Sequence, residues 1–345
     1  MTLFIFLFSI TVSFVLTPWV RMLAHKMNAL DTPSERKIHA SPTPLLGGIA
    51  IFIACWGAIL INSWPDDATK GILWGSLLIF GMGILDDMFQ VSAKPKLLIQ
   101  IIAAIIVVCS GMVITLFPKL SPWGMAANYI ITLVWIVGLA NALNFFDGMD
   151  GLAGGLAGII SLFLFVLACQ RTQPVVGRLA TALAGATLGF LPYNLKIKQG
   201  ASIFLGDCGS AMLGFVLAAL AVKGEWADNN PVVSLSAPLL IFGVLIFDLF
   251  YISIERVASK KVTNFSEWLK YTGKDHLHHR LEALLQSKLK SVLMIYLLSF
   301  TLGLGALALR YARTVEAVIL IVQAVLILLI ISILQIEGTK REKRK

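Results

Sequence analysis

Long apolar runs separated by short polar stretches recur along the chain, and this pattern predicts eleven membrane-spanning helices. They fall at roughly 3–22, 45–62, 71–86, 97–117, 125–141, 151–169, 178–193, 203–222, 235–255, 291–310 and 315–335, since a helix of about 17–25 predominantly apolar residues crosses a bilayer. The third and seventh are the shortest of these. An odd number of spans puts the two termini on opposite sides. Of the 28 Lys and Arg residues, 21 lie in the segments around 21–44, 87–96, 142–150, 194–202, 256–290 and 336–345, all on one side. Only 7 lie opposite. Basic residues accumulate on the cytoplasmic side. The expected fold is therefore an all-α polytopic integral membrane protein of about 11 transmembrane helices, N-terminus outside and C-terminus cytoplasmic.

Composition agrees with this picture and removes other classes. The 345 residues are 58% hydrophobic and 14% charged, with a mean hydropathy of +0.85, whereas a soluble domain carries about 25% charged residues. No polar stretch is long enough for a separate soluble domain, so residues 1–345 read as one transmembrane domain. It carries a large cytoplasmic loop at 256–290 and a basic tail at 336–345. The first twenty residues have no basic leader and no small-residue cleavage site, and read as a retained helix. Cys55, Cys109, Cys169 and Cys208 are scattered and show neither disulfide nor zinc spacing. The net charge of +9 is largely topological. The tail "KREKRK" reads as an anchor beside anionic lipids, not as a nucleic-acid contact. No internal repeat is present.

With the orientation fixed, the polar residues sort to one face. All five histidines and 14 of the 19 acids are cytoplasmic. In "GILDDMFQVSAKPKLLIQ", Asp86 and Asp87 end one helix and Lys94 and Lys96 open the next. Adjacent carboxylates repel unless a cation is near; a solvated helix end is the simpler alternative. In "NALNFFDGMDG", Asn141, Asn144, Asp147 and Asp150 recur every three residues among glycines. Helix packing explains the glycines, but four oxygen-bearing side chains suit a hard cation such as Mg²⁺. In "PYNLKIKQGASIFLGDCGS", Asp207 lies between glycines near a helix start, where an ordinary N-cap is a serious alternative. Phe204 reads from spacing as membrane filling. "GKDHLHHRL" brings His276, His278 and His279 together beside Asp275 and Arg280. No further ligand completes a zinc site, and an imidazole-rich loop over a phosphate fits better. The first cytoplasmic loop, "DTPSERKIHASPTPLLGG", carries Arg36, Lys37 and His39, which a topology-setting basic loop would also explain. Together these groups have what phosphoryl transfer with a metal needs: charge neutralisation, positioning and a base.

Across nearly the whole chain these motifs, in order, resemble the polyprenyl-phosphate N-acetylhexosamine-1-phosphate transferases. The resemblance runs through "RKIHASPTPLLGG", "DDMFQVSAKPKLLIQ", "NALNFFDGMDG", "PYN" with "FLGDCGS", "DLFYISIERV" and "HLHHRL". It implies that undecaprenyl phosphate attacks the β-phosphorus of a UDP-N-acetylhexosamine, best read as UDP-GlcNAc, with release of UMP. The lipid-diphosphate sugar would initiate O-antigen, enterobacterial common antigen, teichoic acid or a related envelope polysaccharide. The resemblance further implies a cofactor, Mg²⁺ with Mn²⁺ as the alternative ion. Asp207 and Asn144 would be metal ligands, and Asp86 or Asp87 the base or a group positioning the lipid phosphate. Asp147 and Asp150 would shape the nucleotide pocket, Phe204 would stack on uracil, and Asn141 and Asn194 would bind substrate. Lys96 and the three motif histidines, His276, His278 and His279, would contact substrate phosphates, helped by Arg256, and Lys37 and His39 would also bind substrate. The expected setting is the bacterial inner membrane with the site on its cytoplasmic face, the bilayer supplying the acceptor, and a homodimer as a candidate assembly. The alternative within the family is the phospho-MurNAc-pentapeptide transferase of peptidoglycan synthesis, and Leu277, which interrupts the run of histidines, argues against it. The segment 259–275 departs from the expected short basic link, and leaves the sugar open. An ion-coupled transporter is the rival of another class; acids at one face and absent repeats weigh against it.

Overall fold

The computed structural model describes residues 1–31, 42–62, 64–196, 200–227, 230–264, 267–268, 271, 273, 275–309 and 312–343. Lys37 and His39 lie outside these. The chain forms two compact units, Met1–Glu225 and Trp226–Lys345.

The first unit contains α1 (Thr2–Lys26), α2 (Gly48–Asn62), α3 (Asp67–Phe89), α4 (Ala93–Cys109), α5 (Pro122–Phe145), α6 (Leu152–Gln170), α7 (Pro174–Asn194) and α8 (Asp207–Lys223). A short antiparallel pair, β1 (Leu30–Asp31) with β2 (Thr43–Pro44), joins α1 to α2. Helix α8 is central: every residue from Cys208 to Ala221 is buried, with α3 and α5 against it and α2 and α6 alongside. Helix α1 turns Phe4, Leu7, Phe14 and Trp19 outward, as a lipid-facing helix does. It buries the small residues Ser9, Ser13 and Thr17. Without a hydrophobic drive between helices in lipid, small residues allow the close approach that holds them together. A Cβ at Gly185 or Gly189 of α7 would meet a backbone oxygen of α1 at 2.7 or 2.3 Å.

The second unit contains α9 (Pro231–Ile241), α10 (Gly243–Ala258), α11 (Leu277–Leu285), α12 (Lys288–Ala308) and α13 (Thr314–Lys343). Helix α11 lies against α12 and α13.

Each of the eleven expected segments contains a helix. Among the described residues, seven helices are long and apolar enough to cross a membrane singly, and counting α9 with α10 as one span gives eight. The differences have local causes. Helix α3 outruns its apolar stretch at both ends. Asp66 accepts from Thr69 N–H at its start, and its last turn carries Asp86 and Asp87. Helix α4 stops at Cys109 rather than near 117, because Gly111 takes a positive φ of 87°. The chain after it is extended, and α5 supplies its hydrogen bonds. Thr132 accepts from Ile114 N–H, Asn128 accepts from Leu116 and Phe117 N–H, and Asn128 donates to Phe117 C=O. Non-helical backbone at membrane depth survives only with such partners. The expected span 235–255 is bent by 80° where α9 meets α10.

Glycine places α8 against its neighbours. A Cβ at Gly83 of α3 would fall 2.3 Å from Cys208 Cα, and one at Gly48 of α2 would fall 2.4 Å from Gly209 Cα. Backbone cannot swing aside as a flexible side chain can. Gly83→Ala is therefore expected to destabilise the first unit by about 1–3 kcal/mol, the usual cost of overpacking. A lowered thermal midpoint of the purified protein in detergent would register it.

Candidate active site

The site forms where α3, α4, α5 and α8 bring their polar ends together. Residues 203–205 lead into α8, with Phe204 and Leu205 pinned by three backbone bonds. Phe204 N–H donates to Pro44 C=O at 2.8 Å, and Gly47 and Gly48 N–H donate to Phe204 and Leu205 C=O at 3.0 and 2.9 Å. Gly206, with φ of 76°, then turns the chain into α8. A Cβ there would meet Asp87 Oδ2 at 2.5 Å, so glycine is required both for the turn and for the approach.

Asp87 caps α8 from another helix. Its Oδ1 accepts from Asp207 N–H at 2.8 Å and its Oδ2 from Cys208 N–H at 3.2 Å. These are otherwise unsatisfied first-turn donors at the positive end of the helix dipole. Asp86, rotated by about 100° on an ideal helix, makes a different contact: its Oδ2 lies 2.7 Å from Lys96 Nζ. The same ammonium is 3.2 Å from Asp207 Oδ2. Asn144, in the last turn of α5, donates to Asp207 Oδ1 at 3.0 Å and to Ser210 Oγ at 2.8 Å. Asp86, Lys96, Asn144 and Asp207 are thus in direct contact, with Asp87 fixing the helix start behind them.

The remaining expected residues form a supporting layer. One turn before Asn144, Asn141 donates to Gln100 Oε1 at 2.6 Å and receives a 3.3 Å bond from Gln100 Nε2. Asp150 accepts from Ala201 N–H at 2.8 Å. Asn194 accepts from Gly151 N–H and donates to Ile203 C=O, so both residues tie the loop after α5 to the approach segment of α8. Phe204 is half-buried. Asp147 lies in the loop itself. Burial first, then the charges of Asp207, Asp87 and Asp150, push its carboxyl well above the usual carboxylate range. Asp86, Asp87 and Asp207 gathered near one lysine leave a surplus of negative charge.

That surplus, presented by hard oxygens, fits Mg²⁺. Among the described residues no three His, Cys, Asp or Glu side chains form a ready cage. Magnesium, however, is usually held by one or two carboxylates, with waters and substrate phosphates completing the shell.

The histidine motif belongs to the second unit. His276 stands at the N-cap of α11, its Nδ1 2.8 Å from Asp248 Oδ2. His278 is buried, and its ring lies 4.2 Å from that of His279. Arg256, only 3% exposed, makes a two-pronged pair with Asp275, Nε to Oδ2 at 2.9 Å and Nη2 to Oδ1 at 2.8 Å, and lies 4.5 Å from the centre of the Tyr271 ring. Burial opposes the Asp275 charge, but Arg256 outweighs it and holds that carboxyl below its usual range. Arg280 pairs with Glu255 and donates to Asp275 C=O. Three residues escaped the sequence reading: Gln100, Ser210 and Asp248. An acid inside an apolar span is a standing signal of function, and Asp248 carried it.

Burial, then the charges of His279 and His276, lower the His278 pKa well below its ordinary 6.5. Below that value the unfolded chain binds a proton that the folded chain does not. The contribution of His278 to stability is therefore present above about pH 6.5 and lost as pH falls below it. Thermal midpoints between pH 7.5 and 5 should fall, and fall less for His278→Leu.

Helices of membrane-spanning length that converge on a cluster of acids, a lysine and an amide define a multi-pass membrane protein with a polar site at its helix ends. The chain matches the description "Glycosyl transferase family 4" over residues 69–225, which hold the whole cluster. It is 36% identical over 346 residues, 99% of this chain and 93% of the relative, to a probable undecaprenyl-phosphate N-acetylglucosaminyl 1-phosphate transferase of Bacillus subtilis strain 168. It is 32% identical over 330 residues to a decaprenyl-phosphate N-acetylglucosaminephosphotransferase of Mycobacterium tuberculosis H37Rv, covering 86% of this chain and 79% of that one. An undecaprenyl-phosphate alpha-N-acetylglucosaminyl 1-phosphate transferase of Escherichia coli K12 is 27% identical over 319 residues, 88% of this chain and 83% of its own. The chain belongs to the polyprenyl-phosphate N-acetylhexosamine-1-phosphate transferase family.

Proposed function

We propose that this protein transfers N-acetylglucosamine-1-phosphate from UDP-GlcNAc to undecaprenyl phosphate at the cytoplasmic face of a bacterial inner membrane. The observation that carries the reading is the contact set of Asp86, Lys96, Asn144 and Asp207, together with the names of the relatives. In the reaction an oxygen of the lipid phosphate bonds to the β-phosphorus of the donor. The bridge between the two donor phosphates breaks, and UMP leaves with the electron pair. Lys96 holds phosphate charge, and Asp86 orients Lys96 and takes any proton the acceptor still carries. A phosphate monoester is already largely ionised near neutrality, its second pKa being about 6, so little base strength is needed. Asp87 is committed to α8 and acts by placing Asp207. Asp207 and Asn144 would hold Mg²⁺, whose contribution is to neutralise the diphosphate. The lipid-linked product would enter synthesis of an envelope polysaccharide.

The test mixes purified protein with Mg²⁺, undecaprenyl phosphate and one of several UDP-sugars. Release of UMP with a sugar-bearing lipid is expected for UDP-GlcNAc. Release of UDP, or no nucleotide with any donor from folded protein, would contradict the proposal.

A further inference from the structure

Asp248 is a carboxylate placed six residues into α10 and only 2% exposed. An acid in such a setting needs partners, and it has two from one short stretch. Its Oδ2 lies 2.8 Å from His276 Nδ1, and its Oδ1 accepts from Leu277 N–H at 2.7 Å. The second bond caps α11. The first does something that capping does not require. An ionised carboxylate only accepts, so the ring nitrogen facing it carries the proton. Chemistry at the other nitrogen, Nε2, is then set by a group that does not itself meet substrate. In serine hydrolase triads a carboxylate in this position holds the ring's tautomer and orientation.

We propose that Asp248 is a positioning residue of the transferase. It fixes the orientation and tautomer of His276, so that Nδ1 carries the proton and Nε2 is the accepting nitrogen. This rests on the transferase reading for its role in turnover. The tautomer itself does not depend on that reading.

Asp248→Asn separates positioning from capping. If the amide oxygen stays on Leu277 N–H, the amide NH₂ faces His276 Nδ1, which must then accept. The cap survives and the proton moves to Nε2. In protein labelled with ¹⁵N-histidine, the His276 signals are identified by their loss in His276→Ala. Wild type is expected to show a protonated Nδ1 and Asp248→Asn a protonated Nε2. UMP release should give a kcat/KM lower by at least about 10-fold for Asp248→Asn, the lower end of what losing the carboxylate behind a metal-bound histidine costs. In the His276→Ala background the same change should cost less than twofold, because there is no ring left to position. Wild-type His276 protonated at Nε2 would overturn the proposal, whether or not the variant folds. An equal loss in both backgrounds would also overturn it, leaving Asp248 as a cap for α11. Absence of UMP release from wild type with every donor would instead contradict the transferase reading, and the nitrogen spectrum would still decide the tautomer.

Discussion

Asp207→Asn is expected to lower the rate of UMP release by on the order of 10³-fold, as loss of a central charge-stabilising group does, while the protein still inserts, purifies and melts as wild type. The side chain keeps its volume and can keep its bond from Asn144, so α8 has no reason to shift. What is lost is the charge that faces Lys96 at 3.2 Å and would hold the donor-bound metal. The backbone N–H of residue 207 remains on Asp87, and the cap of α8 is untouched. Turnover and thermal unfolding measured on one preparation check both halves. Full activity would remove Asp207 from the site.

Asp87→Asn should also fail, but by another route. Asp87 offers two oxygens to two backbone donors, and an asparagine has one oxygen to give. A poorly satisfied buried donor costs about 1–3 kcal/mol, so the thermal midpoint should fall. The start of α8 should then shift and carry Asp207 with it. A misplacement of about 1 Å is enough to cost on the order of 10²-fold in rate. The paired loss of stability and rate is the signature. A variant as stable as wild type but inactive would mean that Asp87 acts on substrate directly. Asp86→Asn provides the contrast: Asp86 contacts Lys96 and the Asp207 side chain but not the backbone donors that Asp87 caps, and the loss there should be in rate alone.

Much of the site could be read from sequence because topology does the sorting. Once the basic residues orient the spans, Asp86, Asp87, Asn144, Asp147 and Asp207 are expected to share a face, and the ends of the three helices that carry four of them, α3, α5 and α8, do meet. The three-residue spacing of Asn141, Asn144, Asp147 and Asp150 gave a subtler signal. Helix α5 ends at Phe145, so the first two sit on its last turns and the other two in the loop beyond. What the sequence could not divide was labour. Asp86 and Asp87 are indistinguishable by composition, and only the approach of α8 decides that one meets a lysine and the other caps a helix. Likewise Asn194 and Asp150 bind backbone of the neighbouring loop, which depends on how two distant segments register. Nor could the sequence show that Arg256, expected to help contact phosphate, is held by Asp275, nineteen residues on, in a buried two-pronged pair. The bend between α9 and α10 and the early end of α4 were hidden because apolar runs continue through both.

The central claim is that the sugar moves together with its phosphate. UDP-GlcNAc labelled with ³²P at the β-phosphorus, incubated with the protein, Mg²⁺ and undecaprenyl phosphate, tests it most directly. The account predicts that the label leaves the aqueous phase with the lipid and that the released nucleotide is unlabelled UMP. Label retained on the nucleotide as UDP, while GlcNAc appears on the lipid, would mean that the protein transfers the sugar alone, and the site would have to be read anew.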